Sequence, residues 1–468
     1  MFGVHGGEMD NRHGDKMGKL FVAALSGVAV IAVGIGVLFL VSHESATVSV
    51  EQSYGPTPVL PKPNATLIPT VNIAPANPWS EGVKPVPAAG LSVNEFAGGL
   101  DHPRWIFVLP NGDVLVAETN APPRPEDGQG IKGWVMGKVM QRAGAAVPSA
   151  NRITLLRDVD GDGIADLKTS FLTGLNSPFG MALIADKLYV ANTDAIKVFP
   201  YVTGSTSISV PGQKLVDLPA GPINHHWTKD VIASRDGKKL YATVGSNSNV
   251  AENGIAVEVN RASVLEVDVA AKTTRVFAAG LRNPNGLSWN PESGELWVAV
   301  NERDEIASDL VPDYITAVKD GAFYGWPYSY FGQNVDVRVT PARPDLVAKA
   351  RVPDYALGAH TASLGLTFNN TAALGPELRN GAFVGQHGSW NRKPLSGYKV
   401  VFIPFVNGKP SGAPKDILTG FLSRAENAMG RPVGVAIDKR GSLLVADDVG
   451  NKIWRVSKSI DSTDSMPQ

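Results

Sequence analysis

Cysteine is absent from this chain of 468 residues. Its absence excludes a disulfide framework, a thiolate metal site and haem attachment through a C-x-x-C-H motif. Electrons from any redox reaction would therefore have to leave to another protein. An excess of positive charge is also missing, because 43 Lys and Arg stand against 44 Asp and Glu. Nothing in this balance indicates nucleic acid as a partner.

Helical periodicity is scarce as well. The 49 glycines and 34 prolines favour turns and short strands over long helices. Hydrophobic residues make up 43% of the chain, which is enough for a large buried core.

One long apolar run stands near the N-terminus, where residues 20–41 carry no charge. At 1.5 Å per residue a helix of this length spans about 33 Å, which is enough for a bilayer core. Basic residues precede the run and the next Lys or Arg is Lys62. The positive-inside rule therefore predicts that residues 1–19 are cytoplasmic, that residues 20–41 are an inner-membrane anchor and that the remainder is periplasmic. A cleaved signal segment is the alternative, but no small-x-small cleavage site follows the run.

Prolines are concentrated directly after this run. Nine of them lie within residues 53–90, which predicts that residues 42–90 form an extended, semi-rigid linker. A globular domain is expected over residues 91–458 and a disordered tail over residues 459–468.

A short strand pattern recurs six times in the expected domain, at intervals of roughly 60 residues. Most copies follow a second apolar run that ends in a tight turn, such as RPVGVAIDKRG at 431–441, which is typical of hairpins. The copies are DVLVAETN (113–120), KLYVANTD (187–194), KLYATVGS (239–246), ELWVAVNE (295–302), GAFVGQHG (381–388) and SLLVADDV (442–449).

These repeats predict an all-β fold, a six-bladed β-propeller. The strand LSVNEF at 91–96 is expected to pair with KIWRVSKS at 452–459 and close the ring. An eight-stranded barrel or a sandwich is the alternative, but neither explains six repeats at this spacing. In a propeller the loops that enter the innermost strands converge on the central channel, so functional residues are expected at equivalent places in the repeats.

The segment DVDGDGIAD at 158–166 resembles a calcium loop. Acidic residues fall at positions 1, 3, 5 and 9, Gly163 stands at the sharp turn, and Ile164 would offer its carbonyl. Position 12 is Thr169 rather than Glu, so a further ligand must come from elsewhere. An acidic turn without metal is the alternative. The acidic residues are Asp158, Asp160, Asp162 and Asp166.

The segment HHWTKD at 225–230 stands where the third repeat begins, so a histidine here is expected near the channel. Arg282, Arg392 and Arg431 occupy comparable places in other repeats. A histidine among cations stays neutral at pH 7, and a neutral imidazole can accept a proton. An ordinary loop histidine is the alternative.

Three further residues at predicted strand ends are candidates for substrate contact. ALGAHTASLGL at 356–366 contributes His360, and GQHGSWNRKP at 385–394 contributes His387 and Trp390. The acidic segment NERDEIASDLVPDY at 301–314 follows a strand that should line the channel, so it is either a cation site or a solvated loop.

With these motifs the chain resembles the soluble pyrroloquinoline quinone-dependent sugar dehydrogenases, most closely their L-sorbosone dehydrogenase-like branch. The resemblance covers about residues 91–458. It rests on NHHWTKDVIASRDGKKLYATVGSNSN (224–249), AGLRNPNGLSWNP (279–291), VNERDEIASDLVPDY (300–314), FYGWPYSYFG (323–332), GQHGSWNR (385–392) and GRPVGVAIDKRGSLLVADD (430–448).

The resemblance implies a propeller that holds the quinone and a calcium ion in its central depression. It implies that His226 accepts the proton of a sugar or aldehyde substrate while hydride passes to the quinone. A separate acceptor, a cytochrome or the quinone pool, would then take the electrons. Arg282 and Asn283 match the pair that contacts the quinone.

The sequence departs from the family pattern at two places that are expected to bind the cofactor or its calcium ion. Residues 301–304 match the family's calcium loop, but Glu302 and Arg303 stand where relatives have Gly-Pro; their backbone carbonyls are the expected calcium ligands. Arg431 matches an arginine that binds a cofactor carboxylate, whereas the family's second arginine is Val433 here. Arg392 is expected to replace a cofactor-binding lysine.

Two other functions remain open from the sequence. One is a calcium-dependent propeller hydrolase similar to a lactonase. The other is a propeller without catalytic activity that binds a glycan or a protein.

Overall fold

A computed structural model describes residues 2–3, 44–66, 69–123 and 137–459 of the chain. The expected anchor at 20–41, nearly all of the cytoplasmic segment and most of the expected tail lie outside the described residues. Within the described ranges no helix is long and apolar enough to cross a bilayer.

Six antiparallel sheets, each of at least four strands, follow one another along the chain and confirm the predicted six-bladed propeller. In blades 1 to 3 the first strand along the chain is the innermost and the last is the outermost. Blade 1 contains Pro103–Val108, Val114–Glu118, Arg152–Arg157 and Leu167–Leu172. Blade 2 contains Met181–Ile184, Lys187–Ala191, Ala195–Pro200 and Gln213–Asp217. Blade 3 contains Val231–Ala233, Lys239–Val244, Ser263–Asp268 and Thr273–Ala279, beside which Ala322–Phe323 runs parallel.

Blades 4 to 6 complete the ring. Blade 4 contains Asn283–Trp289, Leu296–Asn301, Pro312–Ala317 and Tyr355–Ala359. Blade 5 contains Ser363–Asn369, Gly381–Gln386, Lys399–Val406 and Lys415–Thr419, with Lys409–Pro410 paired to the third of these. Blade 6 contains Pro432–Ile437, Leu443–Asp447 and Lys452–Lys458, and its outermost strand is Leu91–Ala97. The antiparallel pairing of Leu91 with Lys458 confirms the predicted ring closure.

The remaining elements are short. They are the hairpin Ser329–Tyr330 and Asn334–Val335, the 3-10 turns Glu51–Ser53, Ile255–Glu258 and Pro376–Leu378, the helical turn Pro344–Val347, and a helical stretch at 137–142.

The second strand of each blade is the recurrent motif of the sequence, and it is largely buried. Val114–Glu118 and Leu443–Asp447 are buried at every position. Both faces of such a strand pack against neighbouring blades, which is why the motif is a continuous apolar run rather than an alternation. Hydrophobic clusters accordingly lie between blades; Trp297 of blade 4, for example, packs with Val384 and Val401 of blade 5.

Glycines in the innermost strands allow the blades to meet closely around the channel. A Cβ on Gly365 of blade 5 would lie 2.3 Å from the carbonyl oxygen of Val433 in blade 6. A Cβ on Gly434 would lie 2.7 Å from the carbonyl oxygen of Arg104 in blade 1. These contacts explain the glycine that ends patterns such as RPVG, because only glycine permits backbones to approach so closely.

The proline-rich segment is not a free linker, which corrects the expectation for residues 42–90. Tyr54–Gly55 adds an edge strand to blade 4, and Val86–Pro87 adds one to blade 5. Trp79 is buried, and its indole N–H donates to Asp447 at 2.7 Å. The residues between the prolines therefore attach this segment to the propeller, so the folded unit begins well before Leu91.

Candidate functional site

His226 lies in the loop that precedes the innermost strand of blade 3. Its Nδ1 is 2.8 Å from the carbonyl oxygen of Ser246, which can only accept a hydrogen bond. Nδ1 therefore carries the proton, and Nε2 keeps the lone pair. Burial and the nearby Arg282 hold the pKa of His226 well below its ordinary value. The imidazole is thus neutral at physiological pH and able to accept a proton at Nε2.

Buried polar residues fix the loop that carries this histidine. The carbonyl oxygen of Trp227 accepts hydrogen bonds from Thr193 Oγ1 at 3.0 Å and from Lys229 Nζ at 3.2 Å. Lys229 is fully buried, so its ammonium belongs to the core of the loop. His225 is exposed. The two adjacent histidines therefore differ in environment, and His226 is the more buried of the two.

Arg282 is buried at the beginning of blade 4 and joins three loop segments. Its Nη1 donates to the carbonyl oxygen of Glu302 at 2.5 Å, and its Nη2 donates to Asn249 Oδ1 at 3.0 Å. Its own carbonyl oxygen accepts the N–H of Ser246 at 2.9 Å, so the segment that orients His226 also contacts Arg282.

Asn283 follows and presents a buried side-chain oxygen. Oδ1 of Asn283 has no hydrogen-bond partner within the described part of the chain. A Cβ on Gly245 would lie 2.4 Å from the Cβ of His226 and 2.5 Å from this oxygen. The absence of a side chain at position 245 therefore lets His226 and Asn283 stand side by side.

Asp304 pairs with Arg282, and His360 in turn contacts Asp304. Asp304 Oδ2 is 3.1 Å from Arg282 Nη2, and Asp304 Oδ1 is 3.2 Å from His360 Nδ1. Burial alone would raise the pKa of Asp304, but Arg282 and His360 hold that pKa below its ordinary value. His360 Nε2 lies 2.9 Å from the carbonyl oxygen of Ala307, so both ring nitrogens face acceptors, which suits a protonated ring. Burial alone would lower the pKa of His360, but the bond to Asp304 raises it.

The expected substrate contacts lie in three different environments. His360 is 5% exposed and both of its nitrogens are occupied, which corrects its assignment as a substrate contact. His387 is half-buried, and its Nε2 lies 2.9 Å from Asp448 Oδ2. Trp390 is exposed, with 36% of its surface open. The three residues therefore do not form one binding surface.

The expected calcium loop has buried side chains. Arg303 is fully buried, and its Nε donates to Glu302 Oε2 at 3.1 Å while its Nη1 donates to Asp336 Oδ2 at 3.2 Å. The side chains of Glu302 and Arg303 are thus bound to each other and to other residues of blade 4. The carbonyl oxygen of Glu302 accepts the bond from Arg282. A calcium ion at the carbonyls of Glu302 and Arg303 stays a prediction.

Arg392 lies apart from His226. It is 2% exposed, and its Nη1 donates to the carbonyl oxygen of Ser308 at 2.6 Å and to Asp309 Oδ1 at 3.0 Å. Its Nη2 reaches the carbonyl oxygen of Val48 at 3.2 Å, in the proline-rich segment. The side chain anchors this segment to blade 4 and keeps Nε without a partner among the described residues, and its role in place of a cofactor-binding lysine stays a prediction.

Arg431 belongs to a second polar cluster, at the junction of blades 1, 5 and 6. Asp448 Oδ2 lies 2.7 Å from Arg104 Nη1, 2.9 Å from His387 Nε2 and 3.6 Å from His102 Nε2. Sequence reasoning missed most of this cluster. The sequence could have indicated Arg104 as a partner of Arg431, because Arg104 in HPRW and Arg431 in GRPV both stand where an innermost strand begins.

The calcium-loop motif forms part of the connection between the two outer strands of blade 1. Carboxylate oxygens of Asp158, Asp160 and Asp166 lie within 4.8 Å of one another. Asp162 lies outside this group and accepts the N–H of Ile164 at 2.7 Å. The loop is at the periphery of the propeller, where Asn94 of blade 6 donates to the carbonyl oxygen of Gly163 at 2.7 Å. Calcium there stays a prediction, with a role in stability.

Asp160→Asn is expected to abolish stabilisation by calcium at this loop. Without added quinone, calcium at a hundred times its Kd would stabilise the wild type by about 2.7 kcal/mol. The variant should lack this gain, because it loses one of three converging carboxylates. Thermal unfolding with and without calcium measures the difference, and Asp186→Asn on a hairpin of blade 2 is the control. A wild type that is indifferent to calcium would contradict the prediction.

Comparisons with known proteins agree with this architecture. A model of the TrAA12-like family matches residues 85–317 and 343–459. A protein of Borreliella burgdorferi is 29% identical over 293 residues, which cover 60% of this chain and 76% of that protein. The pyrroloquinoline quinone-dependent sugar dehydrogenase of Hypocrea jecorina is 22% identical over 427 residues, which cover 81% and 90%. The holo pyrroloquinoline quinone domain of the Coprinopsis cinerea pyranose dehydrogenase has the same fold, with a TM-score of 0.65, 21% identity and coverage of 82% and 100%.

Proposed function

Because this chain belongs to the TrAA12-like family, we propose that it is a quinoprotein dehydrogenase that oxidises a sugar with pyrroloquinoline quinone. The observation that carries the proposal is the neutral His226, which keeps a lone pair at Nε2 and lies near Arg282 and Asn283. A general base next to a buried cation and a buried amide oxygen is an arrangement for removing a proton from a hydroxyl group.

The residues present fit such a cofactor. Asn283 Oδ1 is buried and unsatisfied by the described residues, so it has capacity for a ligand. Arg282 holds a positive charge next to it, and Arg431 provides a second cation at the junction of blades 5 and 6. The quinone is an aromatic polycarboxylate, for which guanidinium groups are suitable partners without covalent attachment. Calcium at the carbonyls of Glu302 and Arg303 is part of the proposal.

When bound, the quinone supplies the hydride acceptor, and a calcium ion on one of its carbonyl groups acts as a Lewis acid. The chain supplies the base and its orientation. His226 takes the hydroxyl proton of the substrate at Nε2, while its Nδ1–H remains bonded to the Ser246 carbonyl and stabilises the cationic ring. Asp304 and His360 keep Arg282 in place. Arg282 keeps the resting histidine neutral through its charge.

The substrate class that we propose is an aldose or an aldehyde sugar, and the resemblance to the L-sorbosone dehydrogenase-like branch is the only argument for a finer choice. Electrons pass to a separate acceptor, since a chain without cysteine cannot attach haem through thioether bonds.

We also propose that residues 20–41 anchor the propeller at the inner membrane on its periplasmic side, on the basis of the charge distribution alone.

The geometry does not favour a calcium-dependent hydrolase. Such an enzyme would need carboxylates at the channel to bind the metal. Near His226, the carboxylate of Glu302 is paired with Arg303, and that of Asp304 is paired with Arg282 and His360. Each carboxylate is thus held by a cation, although Oε1 of Glu302 has no hydrogen-bond partner among the described residues.

Reconstitution tests the proposed function. Purified apoprotein is mixed with calcium and pyrroloquinoline quinone, the visible spectrum is recorded, and an aldose is added. We expect a bound-cofactor spectrum that converts to the reduced form on addition of the sugar. The same mixture with a calcium chelator is the control. Absence of cofactor binding by the wild type would overturn the proposal.

A further inference from the structure

The second polar cluster contains two arginines from neighbouring blades. Arg104 belongs to the innermost strand of blade 1, and Arg431 directly precedes the innermost strand of blade 6. These strands are in contact, since the carbonyl oxygen of Arg104 meets Gly434. The two arginines are close enough that the charge of Arg431 lowers the pKa of Arg104, in addition to the larger effect of burial.

Only one of the two guanidinium groups of the cluster has an ion-pair partner among the described residues. Asp448 pairs with Arg104, whereas the guanidinium of Arg431 is met by the carbonyl oxygen of Ala74 at 3.2 Å and by the ring of Tyr398, whose centroid is 4.9 Å away.

No other titratable side chain of the cluster forms an ion pair with the guanidinium of Arg431 in the described part of the chain. Burial lowers the pKa of His102 to about 4 and lowers that of His387, so both rings are neutral at pH 7. The nearby carboxylate of Asp447 accepts N–H groups from Arg431, Gly450, Trp79 and Trp454. A buried guanidinium without an ion-pair partner is costly, so Arg431 favours an anionic ligand.

Several buried polar atoms of the cluster lack a partner among the described residues. They are Nε of Arg104, Nε of Arg431, Oδ1 of Asp448 and Nε2 of His102. His102 and Asp448 also line a cavity of about 470 Å³. The cluster therefore has free donors for a ligand, and two of its members, though neither arginine, line this cavity.

The cluster also adjoins the proposed base. The guanidinium carbon of Arg104 lies 5.9 Å from the ring centroid of Trp227, which directly follows His226. Val433, which stands where relatives have their second arginine, is fully buried in an apolar cluster with Trp105 and Trp227. Position 433 therefore contributes to the packing beneath the site, and a cation must come from another strand.

We infer that Arg104 and Arg431 together bind a carboxylate of the cofactor, so that blade 1 supplies the second arginine of this site. The inference rests on the proposed function. Asp448 holds Nη1 of Arg104 in place and leaves its Nε for the ligand. Because the two guanidinium groups come from different blades, the cofactor would tie blade 1 to blade 6 across the closure of the ring.

Titration of the apoprotein tests the inference without measuring turnover. Pyrroloquinoline quinone is added in the presence of calcium, and the quenching of tryptophan fluorescence gives Kd. We expect Arg104→Met to raise Kd by about 10–100-fold, and Arg104→Lys to raise it less, since a lysine keeps the charge but not the planar fork. Arg379→Met, which removes an exposed arginine of blade 5, should leave Kd unchanged.

The trimethyl ester of the quinone separates a lost contact from a damaged fold. The wild type should prefer the free acid to the ester by a larger ratio than Arg104→Met does, because the variant has lost one partner of a carboxylate. An equal ratio, or an unchanged Kd for the free acid, would overturn the inference and leave the proposed function standing. A wild type that binds no quinone would overturn both.

Discussion

A His226→Gln variant is expected to lose about 10²–10⁴-fold in kcat, while its affinity for the quinone remains close to that of the wild type. Glutamine can still donate to the carbonyl oxygen of Ser246, so the loop should keep its shape. It cannot accept a proton at the position of Nε2. Steady-state oxidation of an aldose with an artificial dye as electron acceptor measures the loss.

His225→Gln is the matched control, because it makes the same substitution one residue earlier, at an exposed position. This variant should retain the kcat of the wild type. The pH profile of the wild type adds a second criterion. Since the pKa of His226 is held well below 6.5, protonation of the base should reduce kcat only at pH values well below 6.5. Full activity in His226→Gln would rule out this residue as the base.

The fold could be predicted because every blade of a propeller buries its strands in the same way. Each second strand is enclosed by neighbours, so the same apolar run recurs at a constant interval. Each innermost strand must approach the next one closely, so a glycine recurs as well, as at Gly365 and Gly434. Composition alone would not have distinguished a propeller from a barrel or a sandwich.

The proline-rich segment shows where such reasoning fails. Prolines predict an extended chain with few hydrogen-bond donors, and residues 53–90 are largely extended. The residues between the prolines decide whether that chain is free or docked. Trp79 inserts between Phe421 and Trp454, with ring centroids 5.5 Å from each. This contact joins positions that are more than 300 residues apart in sequence, and no local pattern indicates it.

The residues of the candidate site likewise fall into those that a local sequence motif indicates and those that only the structure shows. His226, Arg282 and Asn283 could be found because each stands in a distinctive local motif at a strand end. The support of Arg282 by Asp304 and His360 could not, since it depends on the direction in which two loop side chains point. The partner of Arg392 could not be predicted either: its position in the repeat is suitable for a cofactor contact, and its guanidinium pairs with Asp309.

Arg303→Met is expected to lower the free energy of unfolding by ~3–5 kcal/mol, which is the usual cost of removing one partner of a buried ion pair. Arg303 is fully buried, and it donates to Glu302, to Asp336 and to the carbonyl oxygens of Pro327 and Ser329. Arg338 also pairs with Asp336, at 2.7 Å, so that carboxylate keeps a partner. Glu302 keeps no ion-pair partner among the described residues, and its carboxylate is left charged in the interior of blade 4.

The double variant Glu302→Gln with Arg303→Met distinguishes this cause from a simple loss of packing. If the uncompensated carboxylate is the main cost, neutralising it should recover part of the loss, and the double variant should be more stable than Arg303→Met alone. Urea denaturation of the three proteins measures the differences. Because the carbonyl of Glu302 accepts from Arg282, a displaced Glu302 should also weaken binding of the quinone. Stability of Arg303→Met within about 1 kcal/mol of the wild type would contradict the buried pair as a major contribution.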